Sequence, residues 1–245
     1  MNKTPKIIHY CWFGNNPKPT SVLKYIENWK SVLPDYEIVE WNESNFDINV
    51  CDYTKQAYEQ KKFAFVSDYA RLFALFHQGG IYLDTDVEIC KDPSDFIQDS
   101  DITFGMEEFN FVATSTMMTI PKTDFIKNFM QSYHEREFVL SDGSLDLTTN
   151  VENLTKRLID IGLIQENQQQ ILKSNGDTIS VLGQEYLSPY DYVNLIDNRT
   201  TNTFTIHHFG NSWGGKKSKF NHFVKKQIVK VFGSNSLPRL RALFK

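Results

Sequence analysis

The order of apolar and polar positions along the 245-residue chain reads as strands alternating with helices. Residues 6–13 form an apolar strand ending at Gly14, and a loop containing Pro17 and Pro19 follows. Val22, Leu23, Ile26 and Trp29 then recur on one helical face, with Ser21 the expected N-cap. A second strand is expected over residues 36–41. Helical spacing returns over 54–62 and 63–77 and stops at Gly79-Gly80. Residues 81–89 alternate as a strand, placing Ile81, Leu83, Val87 and Ile89 on one face and Tyr82, Asp84, Asp86 and Glu88 on the other.

Further strands are expected over 101–106, 112–120, 178–182 and 203–209, with helices near 124–134 and 149–161. A Gly-rich turn and a terminal amphipathic helix close the pattern. This order predicts an α/β fold whose mostly parallel central sheet is covered by helices on both faces. With no internal repeat or low-complexity linker, residues 1–215 are expected to form one domain and 216–245 a basic helical extension.

Composition changes this picture little, because 40% hydrophobic and 23% charged residues are ordinary for a globular enzyme. The strip at residues 7–13 is too short and polar for a signal sequence, and no run reaches membrane-spanning length, so a cytoplasmic setting is expected. Cys11, Cys51 and Cys90 have neither zinc-binding spacing nor an even count, which points to free thiols. Charge adds more. Ten of the 26 basic residues and none of the 30 acidic ones follow Asp197, so residues 1–197 carry about −14 and the remainder about +10. In the tail, Phe220, Phe223, Val224, Ile228, Val231 and Phe232 trace one helical face, with Lys225, Lys226 and Lys230 elsewhere. Such a helix either packs on the domain or lies on an anionic membrane surface. Nucleic-acid binding has no motif behind it.

Three clusters carry candidate chemistry. Asp84 and Asp86 are two residues apart on one strand face and repel unless a cation lies between them. Hard oxygen ligands suit Mn²⁺ or Mg²⁺, ions that also take phosphate oxygens. The plainer alternative is a solvated strand end. A phosphatase of the haloacid-dehalogenase type fits poorly, because Glu88 stands where Thr or Val is wanted and the motif lies mid-chain. In the second cluster, Asp68 and Arg71 share a face of a Phe- and Leu-rich helix, as an internal ion pair or a ligand contact. The third is His207-His208-Phe209-Gly210-Asn211-Ser212-Trp213, where adjacent histidines point to opposite sides and the glycines permit a closing loop.

These segments, in this order, resemble glycosyltransferase family 32. The likeness includes the opening Pro5-Lys6-Ile7-Ile8-His9-Tyr10-Cys11-Trp12-Phe13-Gly14, then Trp41-Asn42-Glu43, the run from Ala64 to Leu72, and the block from Gly79 to Asp86. It covers residues 5 to about 90 and returns at 207–213. The resemblance implies a GT-A fold and transfer of a hexose, with retention, from a nucleotide sugar to a glycan or lipid-linked acceptor in polysaccharide or capsule assembly. A UDP-hexose donor is favoured over GDP-mannose. It implies donor contacts from Cys11, Trp12, Phe13, Ser67, Asp68, Arg71, Tyr82, Asp84, Ser212 and Trp213. Metal ligation falls to Asp86, Asp84, His208 and Asn211, with Mn²⁺ or Mg²⁺ as the ion. Glu107 and Glu108 match an acidic segment near the acceptor and join Asp84 and Asp86 as catalytic candidates. A glycoside hydrolase, whose paired carboxylates must flank a bond, and a non-catalytic nucleotide-sugar-binding module are the alternatives.

Overall fold

The computed structural model describes residues 4–93 and 100–210. The expected helix over 216–245 and the candidates Asn211, Ser212 and Trp213 lie outside the described residues. Strand β1 (Ile7–Cys11) leads to helix α1 (Thr20–Val32) and strand β2 (Glu37–Trp41). Helices α2 (Asp52–Glu59) and α3 (Phe63–Gln78) precede strands β3 (Gly80–Leu83), β4 (Val87–Ile89), β5 (Ile102–Gly105) and β6 (Thr116–Thr119). Helices α4 (Asp124–Gln131) and α5 (Asn150–Asp160) follow, then β7 (Gln170–Ser174), β8 (Asp177–Leu182) and the short helix α6 (Gln184–Leu187). Two-residue strands β9 (Tyr190–Asp191) and β10 (Ile196–Asp197) form a hairpin, and β11 (Thr205–His207) is the last described strand.

Seven strands make the central sheet in the order β2-β1-β3-β6-β5-β8-β7. The pairings β1–β2, β1–β3 and β5–β8 are parallel, while β6 runs against both β3 and β5, and β7 against β8. Five strands therefore point one way and two the other. One buried cluster, with Trp41, Phe46, Tyr69, Tyr82 and Phe104, packs under α2 to α5. A second, with Trp29, Ile81, Leu83, Val87 and Phe204, lies under α1. Tyr82 falls in the first and its neighbours Ile81 and Leu83 in the second, as strand alternation requires.

The expected single strand over 81–89 is broken. β3 ends at Leu83, and a turn closed by Val87 N–H donating to Asp84 O at 3.1 Å separates it from β4, which among the described residues pairs with β11 alone. Alternation survives the break because Val87 and Ile89 return to the same core as Ile81 and Leu83. Ser21 is not the cap of α1; Pro19 holds that place, and its fixed φ of −60° suits the entry. The strand expected over 112–120 shortens to Thr116–Thr119, preceded by an isolated bridge between Met106 and Val112. α5 is capped by Thr149 and Glu152, which form a reciprocal capping box.

Gly80 explains how α3 gives way to β3. Its φ of +98° is left-handed, and a Cβ there would lie 2.5 Å from Ile7 O. Only a residue without Cβ lets β3 press against β1 at this point. Beside it, buried His9 accepts from Trp41 Nε1 at 3.2 Å and bonds Gly79 O at 2.7 Å. Since Nδ1 accepts, Nε2 carries the proton, and burial holds the ring neutral with a pKa lowered to about 4.

Candidate active site

The turn between β3 and β4 presents Asp84 and Asp86 at the carboxyl end of β3, beside its parallel neighbour β1. In α/β sheets this edge is where ligands bind. Asp84 N–H donates to Ser115 O at 2.8 Å, fixing the turn to the segment before β6. Tyr82 Oη donates to Asp84 Oδ1 at 2.9 Å, and Arg71 Nη2 lies 3.4 Å from the same oxygen. Arg71 also reaches Asp68 Oδ1 at 3.0 Å, donates to Thr114 O at 2.7 Å, and stacks 4.5 Å above the Tyr82 ring. Both Asp68 and Arg71 are buried. They form an internal pair that continues outward to Asp84, so in this arrangement the guanidinium orients a site carboxylate. Burial pushes the Asp68 carboxyl up to about 7, against the pull of Arg71 and with Asp84 adding to the rise.

Strand β11 supplies the third member of the acidic cluster. Its register sets His207 opposite Val87, and His207 Nε2 lies 3.3 Å from Asp86 Oδ1. One ligand atom each from Asp84, Asp86 and His207 fall within 4.8 Å of one another. Burial lowers the His207 pKa, but Asp86, Asp84 and Glu107 outweigh it and raise the imidazole to about 9. Burial likewise works against ionisation of Asp86. His207 and the Gly210 N–H, donating at 2.6 Å, overcome it and hold the carboxyl at about 2.

This corrects the expectation for His208. The β4–β11 register sets His207 opposite Val87 and leaves His208 one residue beyond the ladder. The His208 ring stacks on Tyr25 at 5.4 Å and bonds Glu88 at 2.8 Å, and it is not among the residues whose ligand atoms converge with Asp84 and Asp86. His207 shares the parity of Thr205 and faces the site.

The remaining candidates separate by depth. Cys11 and Phe13 are buried side chains, Cys11 raised to about 12 by burial and Phe13 packed 5.7 Å from Phe46. Trp12 is half-buried, with its indole donating to Asn16 O at 2.7 Å. Ser67 bonds back to Phe63 O within α3. Glu107 and Glu108 diverge. Glu107 feels Asp84 and His207, and burial lifts it to about 7, with His207 lowering and Asp84 raising it further. Glu108 faces the hairpin of β9 and β10, where burial and a shared hydrogen bond with Asp191 push it up to about 8. That hairpin carried no motif and was missed in the sequence.

A divalent cation fits the residues present. The donor set is two carboxylates and an imidazole, the site gathers more acidic than basic groups, and the buried His207 Nδ1 has no hydrogen-bond partner.

Residues 19–103 match the family model described as "Glycosyltransferase sugar-binding region containing DXD motif". Asp84-Thr85-Asp86 is the DXD sequence within that span. No curated protein matches the chain. Among solved structures, a glycosyltransferase involved in glycosylation of the major capsid of PBCV-1 aligns at 12% identity and a TM-score of 0.51, over 91% of this chain and 100% of that one. The PaToxG glycosyltransferase aligns at 18% identity and 0.46, over 64% and 70%; the galactosyltransferase LgtC, solved with donor and acceptor sugar analogs, at 13% and 0.44, over 94% and 96%. The fold argument rests on the first of these. The chain has a GT-A-type α/β fold, with the acidic cluster at the carboxyl edge of its sheet.

Proposed function

We propose that the protein is a metal-dependent glycosyltransferase that moves a hexose from a nucleotide-sugar donor to a glycan or lipid-linked acceptor. The observation that carries this reading is the convergence of Asp84, Asp86 and His207, with an orphaned imidazole nitrogen, at the carboxyl end of β3. A divalent ion held there supplies positive charge against the diphosphate as it leaves. The protein's own groups prepare that place. Arg71 and Tyr82 fix the Asp84 carboxylate, while Gly210 N–H and His207 fix Asp86. Trp12, half-exposed just past β1, is the surface proposed for the nucleobase. Cys11 and Phe13 are buried in the cluster on the other face of β1 from Trp12.

Glu107 is the carboxyl between the acidic cluster and the cleft beyond it, and a pKa raised to about 7 lets it hold or release a proton near neutrality. Retention at the anomeric carbon, a UDP-hexose donor with GDP-mannose the alternative, and a role in polysaccharide or capsule assembly follow the family 32 resemblance. Action at the inner face of a membrane would use the basic residues beyond 215. Among the described residues, no helix is long and apolar enough to cross a membrane.

A hydrolase is disfavoured because Asp84 and Asp86 converge on one point with His207 instead of flanking a bond. Calorimetry with UDP, GDP and CMP, each in Mn²⁺ and in EDTA, tests the reading. Binding of one nucleotide only with Mn²⁺ supports it, and equal affinity in EDTA overturns it. The anomeric proton signals of the transfer product then report on retention.

A further inference from the structure

A cleft of about 360 Å³ opens beyond Glu107, between the turn that follows β5 and the hairpin of β9 and β10. Its walls include Glu108, Phe109, Gln184, Asp191, Asn194 and Asn198. Small-ligand pockets span about 300–1,000 Å³, so the space suits a sugar ring and not a whole nucleotide sugar. The hairpin also leans on the acidic cluster. Tyr192 packs 4.5 Å from Phe209, whose ring lies 3.9 Å from His207.

The lining has the features of a sugar subsite. Phe109 is 71% exposed, although it is a large aromatic, and its backbone takes a left-handed φ of 61°, followed by Asn110 at 59°. Left-handed geometry is costly for a bulky residue, and no core packing explains it here. An exposed ring offers a flat apolar platform for the C–H face of a pyranose. Around it stand three side-chain amides and two carboxyls, groups that accept from and donate to vicinal hydroxyls. Glu108 Oε2 is buried without a hydrogen-bond partner.

Charge narrows the class of ligand. Among the described residues, no Lys, Arg or His lines the cleft. Arg199, next in sequence to Asn198, is engaged by Asp197 at 2.6 Å and Glu88 at 3.3 Å. A uronate or phosphate entering the cleft would meet the hydrogen-bonded Glu108–Asp191 pair and, among the described residues, no counter-charge.

We propose that this cleft is the acceptor subsite, that Phe109 is its stacking platform, and that it takes a neutral or amino sugar while rejecting uronic acids and sugar phosphates. The assignment as an acceptor site rests on the glycosyltransferase reading; the sugar-binding character of the cleft does not.

Saturation-transfer NMR on the full chain with UDP and Mn²⁺ tests it. The probes are methyl glucoside, methyl galactoside, methyl mannoside, methyl glucosaminide, methyl glucuronide and glucose 6-phosphate. At least one neutral or amino glycoside should give signal, and the two anionic probes none. Phe109→Ala should weaken that binding roughly tenfold or more, while calorimetry shows UDP affinity unchanged. Asn198→Lys should admit the glucuronide. Anionic probes binding the wild-type protein as well as neutral ones, no probe binding at all, or glycoside binding unaffected in Phe109→Ala would overturn the proposal. Glycoside binding lost in Phe109→Ala in a protein that ignores UDP would leave the sugar cleft standing and remove the transferase reading instead.

Discussion

His207 Nε2 stands 3.3 Å from Asp86 Oδ1, although 120 residues separate them, because the β4–β11 ladder brings the two strands into register. The neighbouring His208 makes the same kind of contact with Glu88 and stays out of the Asp84–Asp86 cluster. The two histidines are therefore an internal control for one another.

The pair yields the first prediction. His207→Ala should weaken Mn²⁺-dependent nucleotide binding roughly tenfold or more, as loss of one ligand does. His208→Ala should leave that binding intact and cost at most about 1 kcal/mol of stability, since it removes a half-exposed pair. Calorimetry with UDP and Mn²⁺ and urea denaturation give the two readouts. Equal losses of binding in both variants would contradict the assignment.

Asp86→Asn keeps the shape of the turn and removes the charge. Transfer should vanish, and UDP should bind no better in Mn²⁺ than in EDTA. Retained metal dependence would place the ion elsewhere.

Arg71 acts on the site through Asp84. Lysine keeps the charge at this position but lacks the fork that joins Asp68, Asp84 and Thr114 O. Arg71→Lys should cost on the order of 3–5 kcal/mol, the usual penalty for breaking a buried pair. The sharper test is Mn²⁺ affinity measured well below the melting temperature. A positioning residue predicts weaker metal binding in the folded variant, whereas a purely structural pair predicts a lower Tm with metal affinity unchanged.

His9 gives the pH dependence a sign. Its pKa lies near 6.5 unfolded and is lowered to about 4 in the folded chain. The unfolded state thus binds the extra proton first, and His9 stabilises the fold above pH 6.5 but loses that contribution as pH falls towards 4. The loss is on the order of 3 kcal/mol. Urea unfolding at pH 7.5, 6 and 5 should show it, with a shallower pH dependence in His9→Gln. Identical slopes would mean that other groups carry the acid sensitivity.

Gly80→Ala places a methyl group 2.5 Å from Ile7 O at a φ of +98°. A loss of at least about 2 kcal/mol is expected, read as a lower urea midpoint. An unchanged midpoint would mean that β1 and β3 can separate without cost.

Much of this was legible in the sequence where periodicity and glycine coincide. The Gly79-Gly80 stop and the two faces of residues 81–89 follow from local chemistry. The break between β3 and β4 was not legible, because alternation continues through the turn while the hydrogen-bonding partner changes from β6 to β11. The choice between His207 and His208 was not legible, because it depends on the register of β11 against β4, and the resemblance pointed to the other ring. The hairpin of β9 and β10 was invisible. Its two-residue strands carry no period, and its contribution to the cleft depends on Asp191 meeting Glu108 from a distant part of the chain.

The β4–β11 ladder also fixes an order of assembly. Asp84 and Asp86 are made early, but their cationic neighbour and the strand that pins Val87–Ile89 come only after residue 204. On the ribosome, the two carboxylates must wait without either until more than a hundred further residues have been added. Pairing at such separation carries the loop-closure cost of non-local contacts. On the proposed reading, ion-binding competence is thus a late event in folding, and a nascent chain cannot trap metal at this turn through His207 before the sheet that surrounds it has been synthesised.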